Sequence, residues 1–254
     1  MSLISLMSIF ATVETAADVE QEKDVLGGSF ILDTDVYDAT IKLAYAGESK
    51  RGSKSLTIHA DINGKEVRHT FYVTNKQGQN FYVNKKTDKK EFLPGWNAAN
   101  ALCLLIADKE LPAMVAEEKI VKLYDFDAKA EVPTKVQALT ELHGGRVKLA
   151  IEKQLVDVNQ ETAPNSGVYV PSGKTREQNE IVKVFYAEDG RTTTEIRNNV
   201  EQAEFLQQWV ARNKGKISDR TDKKAGTSAG APGVGGGILG QAQKPANSLF
   251  GAKA

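Results

Sequence analysis

The chain has 254 residues, 41% of them hydrophobic, with 33 Lys/Arg balancing 33 Asp/Glu. That is enough apolar material for one large domain or two small ones, and it excludes a wholly disordered polymer. The single cysteine excludes a disulfide framework, and with only three histidines beside it the chain lacks the four closely spaced Cys/His ligands of a structural zinc site.

The opening run Leu3 to Phe10 is apolar but has no cationic n-region and is interrupted by serines, so it does not read as a secretory signal. No stretch approaches the roughly 18 apolar residues of a membrane span, and a cytoplasmic protein without membrane contact is expected. Residues 1–35 carry seven acids and only Lys23 as a base, and we read 1–24 as an N-terminal extension. A core domain is expected over 25–214. Val36 to Tyr45 reads as its first strand, followed by a polar loop that contains Lys50, Arg51 and Lys54.

From Ser55 to Ile62 apolar and polar residues alternate with the period of a half-buried strand. Asn63-Gly64 follows, the strongest short-range hairpin signal, because both central positions of a type I′ turn need positive φ. Pairing Ile62 with Lys65 sets Ala60 opposite Val67, Ile58 opposite His69 and Leu56 opposite Phe71 on an apolar face. The other face collects His59 with Arg68, Thr57 with Thr70 and Ser55 with Tyr72.

Gln79 to Asn84 and Lys90 to Leu93 read as a second hairpin across a lysine-rich turn, with Phe81 and Val83 on one face and Tyr82 on the other. Trp96 to Ala107, rich in alanine, asparagine and leucine and containing Cys103, fits a buried helix. Strands are expected at Ile120 to Phe126, Lys135 to Leu139, Arg146 to Val158 and Ile181 to Tyr186, then a helix from Thr193 to Arg212. From Gly215 the composition turns to Gly, Ala, Ser, Lys and Pro, with seven bases against Asp219 and Asp222 over 214–254. Residues 215–254 are therefore read as a flexible tail, with Leu249 and Phe250 near its tip as a short docking peptide.

Residues 50–90 hold ten Lys/Arg against three Asp/Glu, interleaved with aromatic rings. Rings spaced between cations are what a protein needs to stack bases while tracking phosphates. The residues expected to contact single-stranded nucleic acid are Lys50, Arg51, Lys54, His59, Arg68, Tyr72, Lys76, Tyr82, Lys85, Lys86, Lys89, Lys90 and Trp96. Sheet tyrosines and lysine-rich turns also occur without any ligand, and Trp96 could equally anchor a core. No catalytic reading survives. Pro171-Ser172-Gly173-Lys174-Thr175 lacks the glycine spacing of a phosphate loop, and no further Asp, Glu or His cluster converges in sequence on Asp125 and Asp127, which read as an exposed strand end. A non-enzymatic protein without metal or cofactor is expected.

Three strands, a helix and then more strands is the order of an OB-fold, a small Greek-key barrel, so the expectation is a mainly β chain with an OB-like antiparallel barrel and a C-terminal helix. The stretch Phe71-Tyr72-Val73-Thr74-Asn75-Lys76-Gln77-Gly78-Gln79-Asn80-Phe81-Tyr82-Val83-Asn84, continued in Leu93-Pro94-Gly95-Trp96-Asn97, resembles single-stranded DNA-binding proteins of tailed bacteriophages. Lys122-Leu123-Tyr124-Asp125-Phe126-Asp127, Glu177-Gln178-Asn179-Glu180-Ile181 and the tail ending in Ser248-Leu249-Phe250-Gly251 extend the likeness over most of 50–254. The resemblance implies an OB-like core that coats DNA strands exposed in phage replication, recombination or repair in the host bacterial cytoplasm, and a C-terminus that engages replication or transcription proteins. An adaptor that recruits a polymerase, with DNA contact secondary, is the rival reading. Two features depart from the family: this tail is basic where many such proteins end in acids, and the chain lacks the ligands with which some phage relatives hold zinc.

Overall fold

The computed structural model describes residues 30–49, 51–125, 128–163, 166 and 168–222. Strands β1 (Asp35–Glu48), β2 (Lys54–Ile62) and β3 (Lys65–Tyr72) form an antiparallel meander. The β2–β3 register is the expected one throughout, from Ile62 opposite Lys65 to Ser55 opposite Tyr72. Asn63 and Gly64 have φ of 54° and 77°, as a type I′ turn requires, and the Gly64 N–H donates to Asp61 Oδ1 at 3.0 Å.

Two short strands, β4 (Phe81–Val83) and β5 (Lys90–Phe92), pair only with each other and lead into helix α1 (Pro94–Ala107). The helix begins two residues earlier than expected because Pro94 occupies its first turn, where a missing N–H costs nothing. Gly95 explains how closely the helix starts against β3: a Cβ there would lie 2.3 Å from the Tyr72 carbonyl oxygen. The apolar side of α1 buries Ala98, Ala99, Ala101, Leu102 and Cys103, and burial pushes the Cys103 thiol up to about 12, so it packs as a small hydrophobe. Asp108, with φ of 52°, ends the helix and donates its N–H to the Leu104 carbonyl.

The chain continues through β6 (Glu117–Asp125), β7 (Ala130–Ala138), β8 (Arg146–Glu161), β9 (Tyr169–Tyr186), α2 (Thr193–Arg197), α3 (Glu204–Asn213) and β10 (Ile217–Asp219). The protein is mainly β and antiparallel. The expected helix over Thr193 to Arg212 is two helices, because α2 stops at Asn198 and Asn199, the latter with φ of 53°, before α3 starts. Ile217 to Asp219, expected within the tail, instead form a strand parallel to Lys153 to Leu155 of β8, and residues 223–254 lie outside the described residues. The expected N-terminal extension over 1–24 and the docking residues Leu249 and Phe250 fall outside the described residues, as does Asp127.

Five long strands run in the order β3-β2-β1-β8-β9, with β10 on the other flank of β8's central stretch. β1 serves two neighbours on one edge, β8 along Asp35 to Thr40 and β7 at Tyr45 and Ala46. A bulge at Lys42 makes the turn between them and shifts the inward parity from Ala39 and Ile41 to Ala44. The main core lies inside this curved sheet under α1, built from Ile41, Leu56, Ile58, Phe71, Leu102, Leu149, Ile151 and Val184. A second, smaller cluster of Tyr45, Val136 and Ala138, with Leu43, Val121 and Leu123 against it, packs the β6–β7 hairpin on the outside. β3 and β9 approach each other across the core, but no backbone ladder joins them among the described residues. The sheet therefore does not close into the expected barrel and leaves a seam.

Candidate nucleic-acid interface

One of the two expected tyrosines lines the seam, and the other lines a second groove beside it. Because β3 and β9 do not pair, a groove of about 430 Å³ opens between Tyr72 and Thr70 on one side and Glu180 and Val182 on the other, floored by Pro94 and Gly95 and flanked by Gln154 and Arg220. A second groove of about 520 Å³ holds Tyr82, Lys90, Phe92, Asn97 and Lys183, and it shares Pro94 and Val182 with the first. Tyr72 and Tyr82 thus line separate grooves that have Pro94 and Val182 in common, and they are 57% and 41% exposed. Arg220 approaches Glu152 at 3.7 Å and keeps most of its side chain in solvent.

Val182 joins the two grooves because it is the extra residue of a bulge in β9: Ile151 faces Ile181 while Ala150 faces Lys183. The bulge lets Ile181 and Val184 both point into the core, so the intervening Val182 and Lys183 line the grooves. Lys183 also borders two further depressions, one of about 540 Å³ with Phe92, Trp96 and Arg197, the other of about 370 Å³ with Phe205. Its ammonium stands 5.3 Å from the centre of the Phe205 ring, and burial holds its pKa below the ordinary lysine range.

The rings are held by specific contacts. The Tyr82 hydroxyl donates to Glu91 Oε2 at 2.8 Å and the Asn84 amide to Glu91 Oε1 at 2.7 Å, which orients the phenol and raises its pKa. Phe92 stacks on Trp96 at 6.2 Å with 26° between the planes, and the Lys90 ammonium lies 4.8 Å over Phe81. Phe205 is placed by Glu195, whose carboxylate accepts from the N–H groups of Thr192 and Phe205, each at 2.8 Å. Burial alone would raise the Glu195 pKa, but these backbone bonds outweigh it and hold the carboxyl below its usual range.

His69 sits at the bottom of the seam, edge-on to Phe71 at 4.6 Å between ring centres. Burial lowers its pKa to about 4. Its Nε2 is 3.8 Å from Glu180 Oε1, too far for a hydrogen bond, and burial raises the Glu180 pKa in turn.

The other expected contacts are dispersed. Trp96 is half-buried and separates the groove it shares with Phe92 from an apolar one of about 610 Å³ that it shares with Lys54, Leu111 and Pro112. Lys85, Lys86 and Lys89 are exposed in the β4–β5 turn, and Lys76 is exposed in the 74–79 loop. Arg51, in the β1–β2 turn, lies near enough to Tyr169 at the start of β9 to act on its phenol. Lys50 falls outside the described residues. The outer face of β2 and β3 is not the open platform that alternation suggests. Thr57 is buried and shares a 2.9 Å hydrogen bond with Thr70, His59 is only 12% exposed with Glu66 accepting from its Nδ1, and Arg68 donates to the Tyr45 hydroxyl. Phe81, on the hairpin face opposite Tyr82, is only half-buried, because the short β4–β5 hairpin pairs with no other strand.

Sequence reasoning missed Lys183, Phe205 and Arg220. The first leaves a trace, a lone cation inside the apolar run Ile181-Val182-Lys183-Val184-Phe185. Among the described residues no group of three His, Cys, Asp or Glu side chains is placed to hold a metal, and no helix is long and apolar enough to cross a membrane. No protein-family model matches the chain, and no curated protein matches it.

Proposed function

We propose that the protein is a non-enzymatic single-stranded DNA-binding protein with little sequence preference, acting where DNA strands are exposed in phage replication, recombination or repair. The observation that carries this reading is a pair of grooves with Pro94 and Val182 in common, one lined by Tyr72 and Arg220 at the β3–β9 seam and the other by Tyr82, Phe92, Lys90 and Lys183. Stackable rings between cations suit a flexible polyanion with unpaired bases. The β3-β2-β1-β8-β9 order, with α1 following β3 after the separate β4–β5 hairpin, also fits an OB-like arrangement, opened at the junction that a barrel would close.

Mechanistically, the lysines and arginines neutralise phosphates and release counterions, while the rings hold bases at about 1–3 kcal/mol each. The test is a salt titration of oligo(dT) binding for the parent chain, Tyr72→Ala and Tyr82→Ala. Each substitution is expected to weaken binding roughly tenfold with the fold intact. Unchanged isotherms for both would remove the seam from the site, and equal affinity for duplex DNA would exclude a single-strand function.

A further inference from the structure

We propose that the free edge of β6 is a self-association surface on which a second copy of this chain adds its own β6 in antiparallel register. Among the described residues β6 pairs only with β7, so one edge of a nine-residue strand is left without a ladder. The β6–β7 register runs without a bulge from Glu117 to Asp125. Proteins usually guard such edges with proline, a bulge or an inward charge, because an open row of N–H and C=O groups invites another strand. Here the proline is on the partner strand. Pro133 of β7 stands opposite Lys122, and with no N–H to give it fits only the non-hydrogen-bonded kind of pair. The even-numbered residues of β6 therefore turn their backbone N–H and C=O groups outward.

The side chains of those same residues select the partner. Glu118, Ile120 and Lys122 are exposed, Ile120 at 67%, and Lys122 has no ionic partner among the described residues. An antiparallel copy related by a two-fold axis at Ile120 places Ile120 against Ile120 of the second copy, and each Glu118 against the other copy's Lys122. Sliding by one residue would pair an outward backbone with an inward one, which a ladder does not allow. Sliding by two in one direction sets Lys119 against its own copy, and in the other sets Glu117 against Asp125. Like charges directly opposite are destabilising, so one register is favoured on charge as well as on geometry. A contact made by a single strand belongs to the small class of interfaces, and the dimer is expected to be weak and concentration-dependent.

Sedimentation velocity of the full chain from micromolar to millimolar concentration tests this, without DNA. The parent chain is expected to approach a dimer at the upper end, and Lys122→Glu or Glu118→Lys to weaken association at least about tenfold by setting like charges opposite each other. Mixing the two variants in equal amounts restores opposite charges at both positions and should recover the dimer. Glu118 also bonds Lys135 at 3.0 Å within its own copy, so Lys122→Glu, checked by thermal melting, is the cleaner single variant, with Ile120→Thr as a second. A chain that stays monomeric throughout, variants that associate like the parent, or a mixture that does not recover would each overturn the proposal.

Discussion

Replacing His69 with phenylalanine should remove a pH dependence that the fold builds into the seam. The imidazole lies against Phe71 and is buried enough to lower its pKa from 6.5 to about 4, with no hydrogen bond to its Nε2. Between those two values the unfolded chain binds a proton that the folded chain rejects, so stability must fall as the pH drops through this window and level off below the folded value. With these values the loss is about 2 kcal/mol between pH 7 and pH 5, and about 3 kcal/mol by pH 4. His69→Phe keeps a ring beside Phe71 and carries no proton. Urea unfolding followed by the fluorescence of Trp96 and Trp209 at pH 7, 6, 5 and 4 should show the parent losing that much more stability than the variant. Carboxylates such as Glu195, whose depressed pKa makes its contribution fade only as pH falls through and below the ordinary glutamate range, are common to both proteins and cancel in the difference. Parallel stability curves would show that the imidazole is hydrated in solution, and that the seam is looser than the packing of β3 against β9 implies.

Lys183→Ala and Phe205→Ala should each weaken oligo(dT) binding several-fold if the strand continues past Tyr82, which a fluorescence-anisotropy titration reads directly. Doubly substituting Lys85→Ala and Lys86→Ala should flatten the slope of log affinity against log salt by about 0.7 for each phosphate no longer neutralised, and an unaltered slope would make that turn a bystander. Gly95→Ala forces a methyl group into the Tyr72 carbonyl and should destabilise the fold by about 1–3 kcal/mol in chemical denaturation. Glu195→Ala leaves the buried N–H of Thr192 and the part-buried N–H of Phe205 without their acceptor and should cost about 1–3 kcal/mol, with hydrogen exchange rising first at the start of α3.

The β2–β3 hairpin was legible residue by residue, because alternation and Asn63-Gly64 are local signals whose consequences do not depend on what packs outside them. Cys103 and the alanine face of α1 were legible for the same reason, as was the presence of rings among cations between Tyr72 and Trp96. The site's outline was not. Alternation assigned His59 and Arg68 to the open face beside Tyr72, yet the β6–β7 hairpin, arriving from far along the chain, packs its small core against Tyr45 and draws that face inward. The bulge at Val182 breaks the period of two at the point where Lys183 enters the grooves, and no period reveals a break before the partner strand is known.

Local composition therefore determined that this is a mainly β chain with a tight hairpin, a buried helix and a stretch rich in aromatics and bases. Only the tertiary structure decided that β3 and β9 stop short of pairing and that Tyr72 and Tyr82 line two grooves with Pro94 and Val182 in common. The physical reason is range: turn chemistry and side-chain alternation act within a few residues, whereas the seam depends on how strands a hundred residues apart are bulged and on the helix that starts at Pro94-Gly95 against β3.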